Sequence, residues 1–296
     1  MTIEGRSRWS PLFHVARTVF WMAIVLLVLQ QLWEPARVAA AREAALDAFQ
    51  QERQSRVIAM IHRQETVSIF GVPVSSSIDI DDSEAILRAI RSTPREQPID
   101  LILHTPGGLV LAAEQIAHAL VERQGKVTVV VPHYAMSGGT LLALTADEVV
   151  MDPNAVLGPV DPQIGDLPAA SIVKLLELKP RAQISDEMLV LADIAIKARM
   201  QVASFVAEVL LKHEPKERAI ALANALSEGR WTHDFPITVE AAKALGLPVS
   251  TNMPPQVYAL MDLYPQAGQG RPSVTYVPLK RQPADGAHDD DAPASK

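Results

Sequence analysis

Two glycine-bearing turns and the serine in one of them carry the chemistry legible in this 296-residue chain. Thr105-Pro106-Gly107-Gly108 follows the apolar run IDLILH, and Ala135-Met136-Ser137-Gly138-Gly139-Thr140 follows VTVVVPH. Each turn falls where a buried strand is expected to pass into a helix, and ligand sites of α/β folds gather at such strand ends. Adjacent glycines let main-chain N–H groups point outward with no side chain in the way, and the following helix adds its positive end. Two such turns side by side would form an oxyanion hole. Ser137 lies between a strand and glycines, where acyl-transfer enzymes expose a nucleophilic hydroxyl. The competing reading is that Ser137 only caps the helix, serine being a preferred N-cap residue.

A serine hydroxyl needs a partner to take its proton. His104 and His133 adjoin the glycine turns but end strands, where they could equally be core or rim residues. His233 follows Trp231 in a loop with no partner evident, and Arg230 is as undecided as both. Lys197 sits in LADIAIKARMQV, beside a stripe formed by Leu189, Ala192, Ile196, Met200 and Ala203. A lysine desolvated there would have a depressed pKa and a neutral amine able to act as a base. A surface lysine with its ammonium in water is the commoner case. Asp161 and Gln163, in a loop rich in Pro, Gly and Asp, either shape a substrate cleft or pack structurally.

Around these residues the pattern alternates. Strands are expected at Val57 to His62, Ile99 to His104, Val127 to Pro132 and Glu148 to Met151. Helices are expected at Asp81 to Ser92, Leu109 to Arg123, Met136 to Thr145, Asp186 to Lys212, Lys216 to Glu228 and Thr238 to Leu245. Pro153 to Pro168 reads as a loop. Strands alternating with helices imply crossover units on a mainly parallel sheet, hence an α/β fold.

The length and 48% hydrophobic content suit one medium-sized core with appended segments. A net charge of −7, with no long run of Lys or Arg, argues against nucleic acid as a partner. The chain has no cysteine, which excludes a thiolate nucleophile and thiolate zinc sites. No cofactor or metal ion is expected.

VFWMAIVLLVL, from Val19 to Leu29, is free of charge, and residues 18–33 approach the length needed to cross a bilayer. Trp21 and Trp33 suit interfacial positions. A signal anchor is favoured over a cleaved signal peptide or a buried amphipathic helix. The run is uniformly apolar, and Ala39-Ala40-Ala41 is the only candidate cleavage point. Arg6, Arg8 and Arg17 before the span, against Arg37 and Arg42 after it, favour a cytoplasmic N-terminus and a catalytic domain outside. The organisation read from the chain is an N-terminal flank (1–17), a single membrane span (18–33), a helical stalk (34–56), a catalytic domain (57–265) and a disordered tail (266–296).

LILHTPGGLVLAAEQIA, VPHYAMSGGTLLALTADEVVMDPNAVLGPVDPQ and SEGRWTHDFPITVEAAKALGLPV together resemble the serine dehydrogenase proteinase family. That family is related to signal peptide peptidase A and the Clp proteases within the Clp/crotonase superfold. The resemblance runs from about Val57 to Val249 and implies a Clp protease/crotonase-like fold of repeated ββα units. It implies Ser137 as nucleophile and the amides of Gly108 and Gly138 as oxyanion donors, with Gly107 and Gly139 supporting the turns. Clp proteases carry a histidine about 25 residues after the serine, where this chain has Gly158-Pro159-Val160-Asp161-Pro162-Gln163. Membrane-bound relatives use a Ser-Lys dyad instead, and pairing their long helix with this one points to Lys197, with Lys174 and Lys179 as second choices. The implied activity is that of a membrane-anchored serine endopeptidase acting on protein or peptide substrates, as a homo-oligomer. The alternatives are a crotonase-type acyl-CoA hydratase or isomerase, and an inactive membrane scaffold of the same fold.

Overall fold

The strands expected from their apolar runs form one parallel sheet in the computed structural model, which describes residues 10–62, 67–69, 72–74 and 77–264. The chain opens with helix α1 (Ser10–Arg53), then β1 (Arg56–Ile61), β2 (Val67–Ile69), β3 (Val72–Val74), α2 (Ile80–Arg91), β4 (Ile99–His104), α3 (Val110–Val121), β5 (Val127–Val131), β6 (Tyr134–Ala135) and α4 (Gly138–Ala143). It continues through β7 (Glu148–Met151), β8 (Val156–Leu157), β9 (Gln163–Ile164), β10 (Leu167–Pro168), α5 (Ala169–Leu178), α6 (Asp186–Leu210), α7 (Lys216–Ser227), β11 (Ile237–Thr238), α8 (Val239–Ala244), β12 (Val249–Ser250) and α9 (Pro255–Asp262). The sheet order is β1-β4-β5-β7-β12, parallel at every pairing. A smaller sheet, β11-β8-β6, stands beside the end of β5.

Helices cover both faces of the sheet, so its central strands are apolar on both sides and read as continuous hydrophobic runs. Along β4, Ile99, Leu101 and Leu103 join the main core with Ile116 and Leu120 of α3 and Leu222 and Leu226 of α7. Ile102, one step out of phase, turns to the other face, where it meets Phe49 of α1 and Val257 and Leu260 of α9. The N-terminus of α2 is closed by reciprocal capping: Asp79 accepts from the Asp82 amide at 3.0 Å, and Asp82 accepts from the Asp79 amide at 2.9 Å.

The expected boundary between membrane span and stalk is not a break in the backbone. α1 is continuous through Pro35, and its 44 residues span about 66 Å at 1.5 Å per residue. Its first part carries Phe13, Phe20, Trp21, Leu26, Leu27 and Trp33, each more than half exposed. Among the described residues it is the one helix long and apolar enough to cross a membrane. Its last turns belong to the globular part, since Phe49 is buried and Arg42 donates to the Leu263 carbonyl at 2.8 and 2.9 Å while lying over the Tyr264 ring. The loop expected over residues 153–168 contains the two-residue strands β8, β9 and β10, and α5, α9 and β12 add elements the periodicity does not mark. The expected disordered tail lies outside the described residues.

Asp100 on β4 is only 2% exposed and is held by Arg53 at 2.8 Å and by the Ser55 hydroxyl at 2.7 Å. A buried carboxylate stripped of its cation is costly, by about 3–5 kcal/mol in a fully buried pair. Arg53 is 37% exposed, so water screens part of that. Arg53→Ala should therefore destabilise the full chain by about 2 kcal/mol in denaturant titrations in detergent. Asp100→Asn in the same background should restore part of the loss. An unchanged midpoint for Arg53→Ala would refute the junction.

Candidate functional site

β4 and β5 run side by side; β4 ends in the first glycine turn and β5 leads through β6 to the second, where a parallel bridge between Thr105 and Ala135 brings the turns together. Thr105 locks them. Its N–H donates to Tyr134 O at 3.2 Å, and its carbonyl accepts from the Met136 N–H at 2.9 Å. The approach leaves no room for side chains. A Cβ on Gly107 would lie 2.8 Å from Ser137 Cβ and 2.9 Å from Met136 O, and one on Gly108 would lie 2.2 Å from Ile78 O. Both residues also have positive φ, +103° and +154°, so glycine is required on both counts.

Ser137 is not glycine, yet its backbone has φ +50° and ψ −114°. With the Gly139 N–H donating to Met136 O at 2.7 Å, residues 136–139 form a type II′ turn whose first central position normally belongs to glycine. Non-glycine residues in such regions store about 1–3 kcal/mol and concentrate at functional sites. The Ser137 side chain makes no capping hydrogen bond to α4, so the helix-cap reading of this serine lacks the interaction that would define it. Thr140, one turn on, fixes the helix start: its hydroxyl donates to Ala135 O at 2.8 Å and accepts from the Gly158 N–H at 3.0 Å.

Ser137, Gly108 and Gly138 line a cavity of about 230 Å³. Gly138 is the first residue of α4, so its N–H is one of the donors a helix leaves unused. The cavity walls are largely apolar, from Val110 and Ala113 of α3, Leu141 of α4, Val160, and Val202, Phe205 and Val206 of α6. The polar groups it adds are Glu114, Asp161, Gln163 and His233.

His233 is the base candidate that the structure brings to Ser137's cavity. Its Nδ1 lies 2.9 Å from Asp161 Oδ1, and the other carboxylate oxygen accepts from Gln163 Nε2 at 2.7 Å. Asp161 is 3% exposed. Its hydrogen bond, stronger than the opposing effect of burial, raises the His233 pKa above the usual imidazole value. A carboxylate on Nδ1 fixes the ring and leaves Nε2 as the reactive nitrogen. Sequence alone leaves this histidine without a partner, because Asp161 is 72 residues away. The signal lies in the pairing of β8 with β11, which matches Leu157 to Ile237. Beyond those two rungs neither segment is a strand, and the loops that follow carry Asp161 and His233 together.

Lys197 is not brought to this cavity. Its ammonium pairs with Asp193 at 2.5 Å, and its side chain is 65% exposed. The buried stripe of α6 runs through Ala192, Ala195, Val202, Val206 and Val209, displaced from the expected stripe, of which Met200 is 65% exposed. Lys197 therefore faces water, away from the cavity. Lys174 and Lys179 are exposed too, and no lysine is among the described residues lining the cavity. His104 and His133 stack on each other with ring centroids 5.6 Å apart and do not line the cavity. A further residue unmarked by sequence is His62, buried at the end of β1. Its Nε2 lies 3.1 Å from Asp82 Oδ2 and its Nδ1 2.8 Å from Thr105 Oγ1, and that hydroxyl oxygen accepts from the Gly107 N–H at 3.2 Å. His62 thus ties the first glycine turn to the α2 cap. No group of metal-binding side chains occurs among the described residues.

Comparison with known proteins agrees with the fold class. A protein of Methanocaldococcus jannaschii, "Uncharacterized protein MJ0137", is 51% identical over 273 residues, covering 92% of this chain and 96% of that protein. A second from the same organism, "Uncharacterized protein MJ1495", is 55% identical over 231 residues, covering 78% and 79% respectively. Among solved structures, ClpP1 from Listeria monocytogenes aligns with a TM-score of 0.43 at 16% identity, over 70% of this chain and 97% of that one. The family model described as ClpP-like SDH-type serine proteinase matches residues 7–291, and the chain accordingly belongs to that family of α/β serine proteinases.

Proposed function

We propose that this chain is a membrane-anchored serine endopeptidase in which Ser137 is the nucleophile, His233 the general base and Asp161 the residue that orients it. The observation that carries the reading is the strained type II′ turn, which presents Ser137 to a cavity holding both the Gly108 and Gly138 amides and an imidazole fixed by a buried carboxylate. In this reading His233 Nε2 takes the Ser137 proton as Oγ attacks the scissile carbonyl, and the two amides receive the developing oxyanion. The imidazolium then protonates the departing amine, leaving an acyl-serine. Water, deprotonated by the same imidazole, releases the acid and restores the serine. Lys197 takes no part, its ammonium being held in water by Asp193.

The exposed apolar surface of α1 supports insertion in a bilayer with the N-terminus cytoplasmic, by the margin of one arginine. A homo-oligomer would cover Val190, Ile194 and Met200, which stand exposed along α6. The cavity is smaller than the roughly 300–1,000 Å³ of drug-sized ligand sites, which fits a single side chain better than the acyl-CoA of a crotonase-type enzyme.

Ser137→Ala should abolish both casein hydrolysis and labelling by a fluorophosphonate probe. His233→Ala should lower kcat by about a thousandfold or more, and Lys197→Ala should leave it within about twofold. The reverse ranking of the last two would restore the Ser-Lys dyad.

The pH profile carries a second prediction. The base acts as neutral imidazole, so activity is lost as pH falls through the His233 pKa, which Asp161 holds up. The acid limb of kcat/KM should therefore lie above about pH 6.5, the unperturbed value. Asp161→Asn should move that limb to lower pH as well as reduce kcat. An acid limb indifferent to Asp161→Asn would remove His233 from the reaction.

A further inference from the structure

The cavity beside Ser137 contains one feature that acyl transfer does not use. Glu114, one turn after Val110 on α3, contributes a second carboxylate to a cavity whose other polar side chains are Ser137 and the linked Asp161, Gln163 and His233, and whose remaining walls are largely aliphatic with Phe205. The same residue lines an adjoining groove of about 750 Å³ that runs along α6 and includes Glu208. Neither glutamate forms an ion pair among the described residues, in contrast to Asp161, which is engaged by His233 and Gln163. Burial, and then the charge of Glu208, push the Glu114 carboxyl above the ordinary range. An unpaired carboxylate in a partly dry, apolar cavity is a cost that a cationic occupant removes. The walls suit such an occupant if its charge ends an aliphatic stem, as in lysine and arginine, whose methylenes pack on apolar surface while the head reaches a polar group.

We propose that this cavity is the primary specificity pocket and takes a lysine or arginine side chain on the acyl side of the scissile bond, with Glu114 as its counter-ion. The inference rests on the peptidase reading and adds the substrate class: proteins cleaved after basic residues. The groove beyond, with Glu208 on its wall, extends the preference for positive charge along the same segment of substrate. The cavity of about 230 Å³ suits one long side chain, so the selectivity belongs chiefly to one position of the peptide.

The test uses the full chain in detergent with peptidyl-aminomethylcoumarin substrates that differ only in the residue before the bond cleaved: Lys, Arg, Leu, Phe or Asp. The expected result is that kcat/KM for Lys and Arg exceeds that for Leu by about tenfold or more, the scale of a partly desolvated charge pair. Glu114→Gln, which keeps the shape and removes the charge, should lower the Lys-to-Leu ratio by about tenfold. Benzamidine, a small cation, should slow fluorophosphonate labelling of the unmodified chain, which keeps the proposal testable should the variant fold poorly. Hydrolysis that favours Leu or Phe, a ratio unmoved by Glu114→Gln, or labelling indifferent to benzamidine would overturn the pocket assignment while the peptidase reading stood. If no peptide were cleaved and Ser137 took no label, the peptidase reading would fail and this inference with it.

Discussion

The contact between Gly107 and Ser137 is the constraint on which the site depends. Two parallel strands hydrogen-bonded side by side carry their C-terminal turns into the same space, and there the turns meet with no room for a methyl group on Gly107. Thr105 ties the first turn to both sides of the second, and the second, closed between Met136 and Gly139, holds Ser137 in a backbone conformation that a free peptide would avoid. The strain is sustained by the packing beneath it. Thr140 anchors the helix start, and His62, through Thr105, joins the first turn to the reciprocal cap of α2. A hydroxyl held this way loses little entropy on reaction, because its position is fixed before any substrate arrives.

The electrostatics of the cavity divide between two acids with different surroundings. Asp161 is nearly fully buried but satisfied, receiving a hydrogen bond at each oxygen, so its charge is expressed through His233. Glu114 is less buried and has no ion-pair partner among the described residues, so its charge is open to whatever enters. The first arrangement suits a group that acts through another residue, and the second suits a group that recognises. Both sit within a cavity bounded by α3 and α6, two helices whose buried side chains also belong to the main core, so site and core share their walls.

Much of this was legible before any coordinates. The strands β1, β4, β5 and β7 announce themselves because the sheet is covered on both faces and their side chains are apolar without alternation. The glycine turns are legible because only glycine fits where they meet. What the sequence hides is set by tertiary register. Two-residue strands such as β8 and β11 have no period to detect, and α5 and α9 are short. The stripe of α6 misleads for a different reason: apolar residues surround that helix, with Val190, Ile194, Ile196 and Met200 all exposed, so periodicity offers more than one face. Contacts with α5 and α7 choose among them, and they choose one that turns Lys197 to solvent.

The same hidden register decides which residue can act as a base. A histidine 96 residues beyond the serine and an aspartate 24 residues beyond it share no local pattern, and neither is informative alone. Leu157 lies opposite Ile237 in the two-rung pairing of β8 with β11, and the loops that lead away from it bring His233 Nδ1 to 2.9 Å from Asp161 Oδ1. Asp161 is 3% exposed and would keep only Gln163 as a partner were His233 displaced, so the contact that prepares the imidazole for proton transfer also ties together two loops 72 residues apart.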